Sequence, residues 1–202
     1  MREARRMTKR DKKQETAIIV VHEIYGVNEH MKSFCRLLAE QGFTVSCPNL
    51  LKRESPFEYA EEGMAYRYFM DHVGFQQAAA AVKSLLIDMK ETYQKVFIIG
   101  FSVGATIAWL CSEERAADGI VGYYGSRIRD YTGIAPECPV LLLFPQEEPS
   151  FSVDGLIQSL SQKNVTIHKL AGQHGFGDPC SSKYHMEAAE TALHKVIHFL
   201  GS

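Results

Sequence analysis

Gly100-Phe101-Ser102-Val103-Gly104 is a G-x-S-x-G sequence that directly follows the apolar run Val96-Phe97-Ile98-Ile99. A serine hydroxyl is a poor nucleophile until a base takes its proton. A sharp strand-to-helix turn exposes that hydroxyl, and it needs small residues two positions either side, where a Cβ would clash. The same turn sets a helix N-terminus, with its free N–H groups, beneath developing negative charge. The base is ordinarily a histidine, held in one tautomer by a carboxylate. His174 lies in the glycine-flanked loop Ala171-Gly172-Gln173-His174-Gly175-Phe176-Gly177, after the last expected strand, where such a base belongs. His194 and His198 are spaced i, i+4 on an expected helix, lack an evident third metal ligand, and read as a solvated face. The acid should follow the strand that ends at Phe144. Glu148 is the favoured candidate, with Glu147 and Asp154 as alternatives. A glycine-rich turn can instead cradle a phosphate. No G-x-G-x-x-G or G-x-x-x-x-G-K-[ST] supports that use.

These residues need a frame that brings them to one place. Ala17 to Val21 is a continuous apolar run, the mark of a strand buried on both faces. Asn28 can cap a helix in which Met31, Phe34, Cys35 and Leu38 recur at i, i+3, i+4 and i+7, and Gly42 stops it. Phe43 to Cys47 reads as a second strand, closed by Pro48. The segment 49–75 has no clear period and is expected to be a long loop with one or two short helices; such excursions tend to be functional. Ala78, Val82, Leu85 and Met89 mark a core-facing helix. Val96 to Ile99 is a third strand, and a helix from about Ser102 to Glu114 follows it. Ile120–Tyr124, Val140–Phe144 and Val165–Leu170 are further strands. Residues 153–162 and 184–200 are helices, the last with Ala188, Ala192, Val196 and Phe199 near one face. The alternation predicts an α/β fold: a mostly parallel six-stranded sheet with helices on both faces. Ligands of such sheets bind at the carboxyl ends of the strands.

The chain has 202 residues, room for one domain over 16–202, preceded by a tail, 1–15, with seven basic residues, read as solvated and partly disordered. With 22 Lys and Arg against 24 Asp and Glu, the net charge of −2 argues against nucleic acid or an anionic membrane as partner. No apolar run approaches the ~18 residues that span a bilayer. The five cysteines, Cys35, Cys47, Cys111, Cys138 and Cys180, include no C-x-x-C pair. They are expected to be reduced and mostly buried, in a cytoplasmic protein.

Several motifs in one order resemble the dienelactone hydrolase family of α/β-hydrolases. Glu23-Ile24-Tyr25-Gly26-Val27-Asn28, Cys47-Pro48-Asn49-Leu50, the serine turn and Gly122-Tyr123-Tyr124-Gly125 are similar to its signatures. The resemblance runs from about residue 17 to the C-terminus. It implies an α/β-hydrolase fold, a Ser102, His174 and Glu148 triad, a role for Glu23, and an oxyanion hole from the N–H groups of Ile24 and Val103. Tyr25, Tyr66, Tyr124 and Arg127 are the implied substrate-binding residues. No metal or organic cofactor is implied. The expected partner is a small-molecule ester, lactone or thioester, met by a monomer or small homo-oligomer. The rival reading is a noncatalytic small-molecule binding module on the same scaffold. The chain departs from the family pattern in three ways. Serine stands where the founding enzymes have cysteine, and Glu148 where aspartate is usual. Glu62 and Asp178 fall where two arginines hold a substrate carboxylate in the dienelactone-cleaving members. Arg53, Arg67 and Arg127 are the candidate substitutes.

Overall fold

The computed structural model describes residues 14–160 and 165–201. Most of the basic tail, residues 1–13, lies outside the described residues, while Gln14 and Glu15 already belong to the first strand. In chain order the elements are β1 (Gln14–Val21), α1 (Glu29–Glu40), β2 (Thr44–Ser46), α2 (Glu62–His72), α3 (Phe75–Thr92), β3 (Tyr93–Phe101) and α4 (Val103–Leu110). There follow β4 (Gly119–Tyr123), β5 (Val140–Glu147), α5 (Val153–Leu160), β6 (Val165–Gln173) and α6 (Met186–Leu200). Short 3-10 turns occupy Tyr59–Glu61 and Ser126–Tyr131.

The six strands pair in the order β2-β1-β3-β4-β5-β6, and every pair is parallel. The unbroken apolar run of β1 has its reason here. Ala17, Ile19 and Val21 enter the core on the face covered by α3 and α4, and Ile18 and Val20 enter the core on the face of α1 and α6. The chain moves outward from β1 to β2, then crosses back to place β3 on the other side of β1. Strand order therefore reverses between β1 and β3, and a crevice opens above their carboxyl ends. The loop after β1 carries Glu23 and Ile24; the turn after β3 carries Ser102.

The structure corrects several sequence expectations. Segment 49–75 is less of a loop than expected: it holds an 11-residue helix, α2, which buries Ala65 and Phe69 and packs the partly covered Tyr66 and Tyr68 against the core. The buried stripe of α3 is Phe75, Ala78, Ala79, Val82 and Leu86, with Leu85 and Met89 only partly covered. Helix α4 ends at Leu110 rather than Glu114, and on α6 Leu200 rather than Phe199 is buried. Of the five unbridged cysteines only Cys111 and Cys138 are buried. Among the described residues no helix is long and apolar enough to cross a membrane.

Candidate active site

Ser102 sits at φ +54°, ψ −114°, a strained backbone position for a residue with a Cβ. The glycines on either side make that turn feasible. A Cβ on Gly100 would lie 2.0 Å from the Gly104 carbonyl oxygen, and one on Gly104 would lie 2.2 Å from that of Val21. The Ser102 N–H is tied to the Tyr123 carbonyl at 2.9 Å. The hydroxyl thus stands above the sheet and donates to His174 Nε2 at 2.9 Å. His174 Nδ1 lies 2.8 Å from Glu148 Oε2, and the Ser150 hydroxyl donates to Glu148 Oε1 at 3.0 Å.

Of the three candidate carboxylates, Glu148 is the one in contact with His174. The Glu148 side chain is 7% exposed, against 79% for Asp154, whose carboxylate pairs with Lys169. Glu147 is exposed and accepts from Gln173. Burial alone would raise the Glu148 pKa. The hydrogen bond and charge of His174, with bonds from Ser150, outweigh it and hold the carboxyl below its ordinary value. An ionised Glu148 selects the Nδ1–H tautomer and leaves the Nε2 lone pair facing Ser102.

Helix α4 begins at Val103, and neither its N–H nor that of Ile24 donates to a backbone acceptor. Both residues line a cavity of about 450 Å³ that also opens onto Ser102 and His174. The Ile24 loop is shaped by His22, whose Nδ1–H donates to the Glu23 carbonyl at 2.7 Å while Nε2 accepts from the Leu50 N–H at 3.0 Å. Burial lowers the His22 pKa, so the ring stays neutral in that bridge.

Glu23 is 5% exposed and lines the same cavity. Burial, reinforced by the nearby Asp178 carboxylate, pushes its carboxyl up to about 7. Tyr25, Tyr66 and Arg127 also line the cavity. Arg127 Nε approaches Asp130 Oδ2 at 2.8 Å as an ion pair, but off the axis of a hydrogen bond. Tyr124 does not line the cavity. It is 1% exposed at φ +42°, its ring 5.0 Å from that of His174, and its hydroxyl lies near Glu23 without a well-formed hydrogen bond. The turn that lets β4 end beside Ser102 drives this side chain inward.

Glu62 and Asp178 do line the cavity, whereas Arg53 and Arg67 do not; Arg53 stacks over Phe57 at 3.9 Å. Sequence reasoning missed Tyr59, which donates to Asp178 Oδ2 at 2.5 Å, and Ser150, which orients Glu148. Tyr59 stands in the aperiodic segment, where no pattern marks it; Ser150, two residues after the acid, was open to a local reading.

A model described as the dienelactone hydrolase family matches residues 3–202. The Bacillus subtilis protein YczH is 44% identical over 167 residues, covering 81% of this chain and 82% of its own. The carboxymethylenebutenolidase of Pseudomonas putida is 26% identical over 202 residues, covering 91% of this chain and 84% of its own. Among solved structures, a dienelactone hydrolase-like promiscuous phosphotriesterase from metagenomic libraries superposes with a TM-score of 0.75 at 18% identity, covering 96% of this chain and 88% of its own. With a six-stranded parallel sheet, a serine on its central turn and a family match over all but two residues, the chain belongs to the dienelactone hydrolase family and is a hydrolase on the α/β-hydrolase fold.

Proposed function

We propose that the chain cleaves a small carboxylic ester, lactone or thioester through an acyl-enzyme. The observation that carries this reading is the continuous Ser102–His174–Glu148 contact, 2.9 Å and 2.8 Å, at the floor of a cavity. His174 Nε2 takes the hydroxyl proton as Ser102 Oγ attacks the carbonyl carbon. The oxyanion that forms is held by the N–H groups of Val103 and Ile24. His174 then returns the proton to the leaving oxygen or sulfur, and later activates the water that releases the acid. Glu148 orients the imidazole and stabilises its cationic form. Glu23 borders the reacting centre, while Tyr25, Tyr66 and Arg127 shape the walls that receive the substrate.

The test is labelling with a fluorophosphonate, together with a hydrolysis screen over esters of differing acyl length and charge. Wild-type protein should be labelled at Ser102 and should turn over short esters. Ser102→Ala should do neither while melting normally. An unlabelled Ser102 in folded protein would favour a binding module on the same scaffold.

A further inference from the structure

At the wall of the cavity, which Glu23 and Asp178 line, one ligand atom each from Glu23, His30 and Asp178 lie within 4.8 Å of one another. All three residues are buried: Glu23 is 5% exposed, His30 2% and Asp178 1%. His30 is the second residue of α1, and neither of its ring nitrogens has a hydrogen-bond partner. A buried imidazole with both nitrogens unpaired is costly unless something absent from the polypeptide satisfies it. Its Nδ1 lies 3.6 Å from Asp178 Oδ2. Two donors bound tetrahedrally at ~2.0–2.1 Å from one ion would stand ~3.4 Å apart.

The surroundings hold these groups in place. Tyr59 donates to Asp178 Oδ2 at 2.5 Å, Asn28 Nδ2 donates to the Tyr59 hydroxyl at 3.2 Å, and the Cys180 N–H donates to Asp178 Oδ1 at 2.8 Å. Outer contacts of this kind orient metal ligands. Lys183 is exposed at the cavity rim, and its charge reaches Glu23 only through space.

We infer that Glu23, His30 and Asp178 form a binding site for a divalent transition-metal ion, with a fourth position open to the cavity. Two carboxylate oxygens and one imidazole nitrogen suit Zn²⁺ or Mn²⁺. Mg²⁺ prefers an all-oxygen octahedron that retains water. The ion offsets two buried carboxylates that otherwise face each other. It also joins three segments: the loop after β1, the first turn of α1, and the loop that carries His174 four residues before Asp178. A bound ion is therefore a clamp on the His174 loop.

The experiment uses full-length protein stripped with EDTA and titrated calorimetrically with ZnCl₂, with MgCl₂ as control. The exposed pair His194 and His198 and the exposed thiol of Cys180 offer adventitious zinc sites, so the titration is repeated in a His194→Ala, His198→Ala, Cys180→Ser background. One zinc per chain should bind in both proteins and raise the melting temperature by linkage. Glu23→Gln and Asp178→Asn should each weaken binding by ~tenfold or more; both are near-isosteric, so neither relies on His30 variants that fail to fold. Zinc should also slow amide exchange over 173–178. Absence of stoichiometric binding in the triple variant, or binding that survives both carboxylate substitutions, overturns the site. Unchanged exchange with zinc bound overturns the clamp. All three readouts are independent of ester hydrolysis.

Discussion

Replacing Gly104 with alanine sets two effects of opposite sign against each other. Gly104 is the second residue of α4, and alanine in a helix is better than glycine by up to ~1 kcal/mol. The added Cβ, however, would stand 2.2 Å from the Val21 carbonyl oxygen, 2.6 Å from that of His22 and 2.8 Å from the Val21 carbonyl carbon. All three are backbone atoms at the end of β1, so no rotamer change relieves the contact. Comfortable non-bonded separations are ~3.5 Å or more, so α4 and the end of β1 must part by about 1 Å. Forced overpacking of this kind costs ~1–3 kcal/mol, which exceeds the helical gain. Net of that gain the loss is up to ~2 kcal/mol, and at ~2–4 °C per kcal/mol for a chain of this size the melting temperature should fall by up to about 8 °C.

The functional loss should be larger. The two elements pushed apart carry Val103 N–H and Ile24 N–H, and loss of one oxyanion donor costs ~10²–10³ in kcat. The assay is hydrolysis of a short p-nitrophenyl ester, with active sites counted by fluorophosphonate, alongside a melting curve. Gly133→Ala is the control, since a Cβ there meets nothing within 4 Å and should change stability by no more than ~0.5 kcal/mol. A Gly104→Ala enzyme with kcat within twofold of wild type would refute the claim that this contact sets the oxyanion geometry.

Glu148→Gln should lower kcat by orders of magnitude, since an amide in the equivalent aspartate site of another serine enzyme costs ~10⁴, while Asp154→Asn, on an exposed carboxylate, should leave it nearly unchanged; steady-state kinetics that rank them in reverse would move the acid. In metal-free protein Glu23→Gln should reduce kcat without lowering the melting temperature, because it removes a buried carboxylate that faces Asp178; a large loss of melting temperature with unchanged kcat per folded site would make Glu23 structural instead. In the same metal-free protein neutral short esters should be cleaved better than dienelactone-type carboxylates, because Glu62 and Asp178 line the cavity and each opposes an anion by on the order of 1 kcal/mol at several ångströms and an effective dielectric near 20. Added salt should narrow that gap, and equal kcat/KM for a carboxylate and its methyl ester at low salt would count against it.

Much of this molecule was legible because its signals are local. The β1 run, the Asn28 cap, which accepts from the Met31 N–H at 3.1 Å, and the G-x-S-x-G turn depend on neighbours a few residues away. Side-chain period and backbone sterics write them directly into the sequence. Strand alternation gave the parallel sheet for the same reason, since a parallel neighbour requires a crossover. Helix α2 was expected only as a short helix without bounds, because it buries just two side chains, Ala65 and Phe69, leaving no stripe to read. The choice of Glu148 over Glu147 and Asp154 could not be made from spacing. It depends on which carboxylate at the end of β5 turns toward a loop 26 residues away, and it is Glu148 that meets His174 there. Tyr124 illustrates the reverse case: a motif named it for the substrate, but its backbone conformation points the ring into the core. The meeting of Glu23, His30 and Asp178 is more distant still, with His30 and Asp178 148 positions apart in the sequence. Only the crossover from β1 to β3 and the return of the chain through β6 bring an α1 histidine against the loop that carries His174. A carboxylate's environment is a property of packing, so no local pattern could announce it.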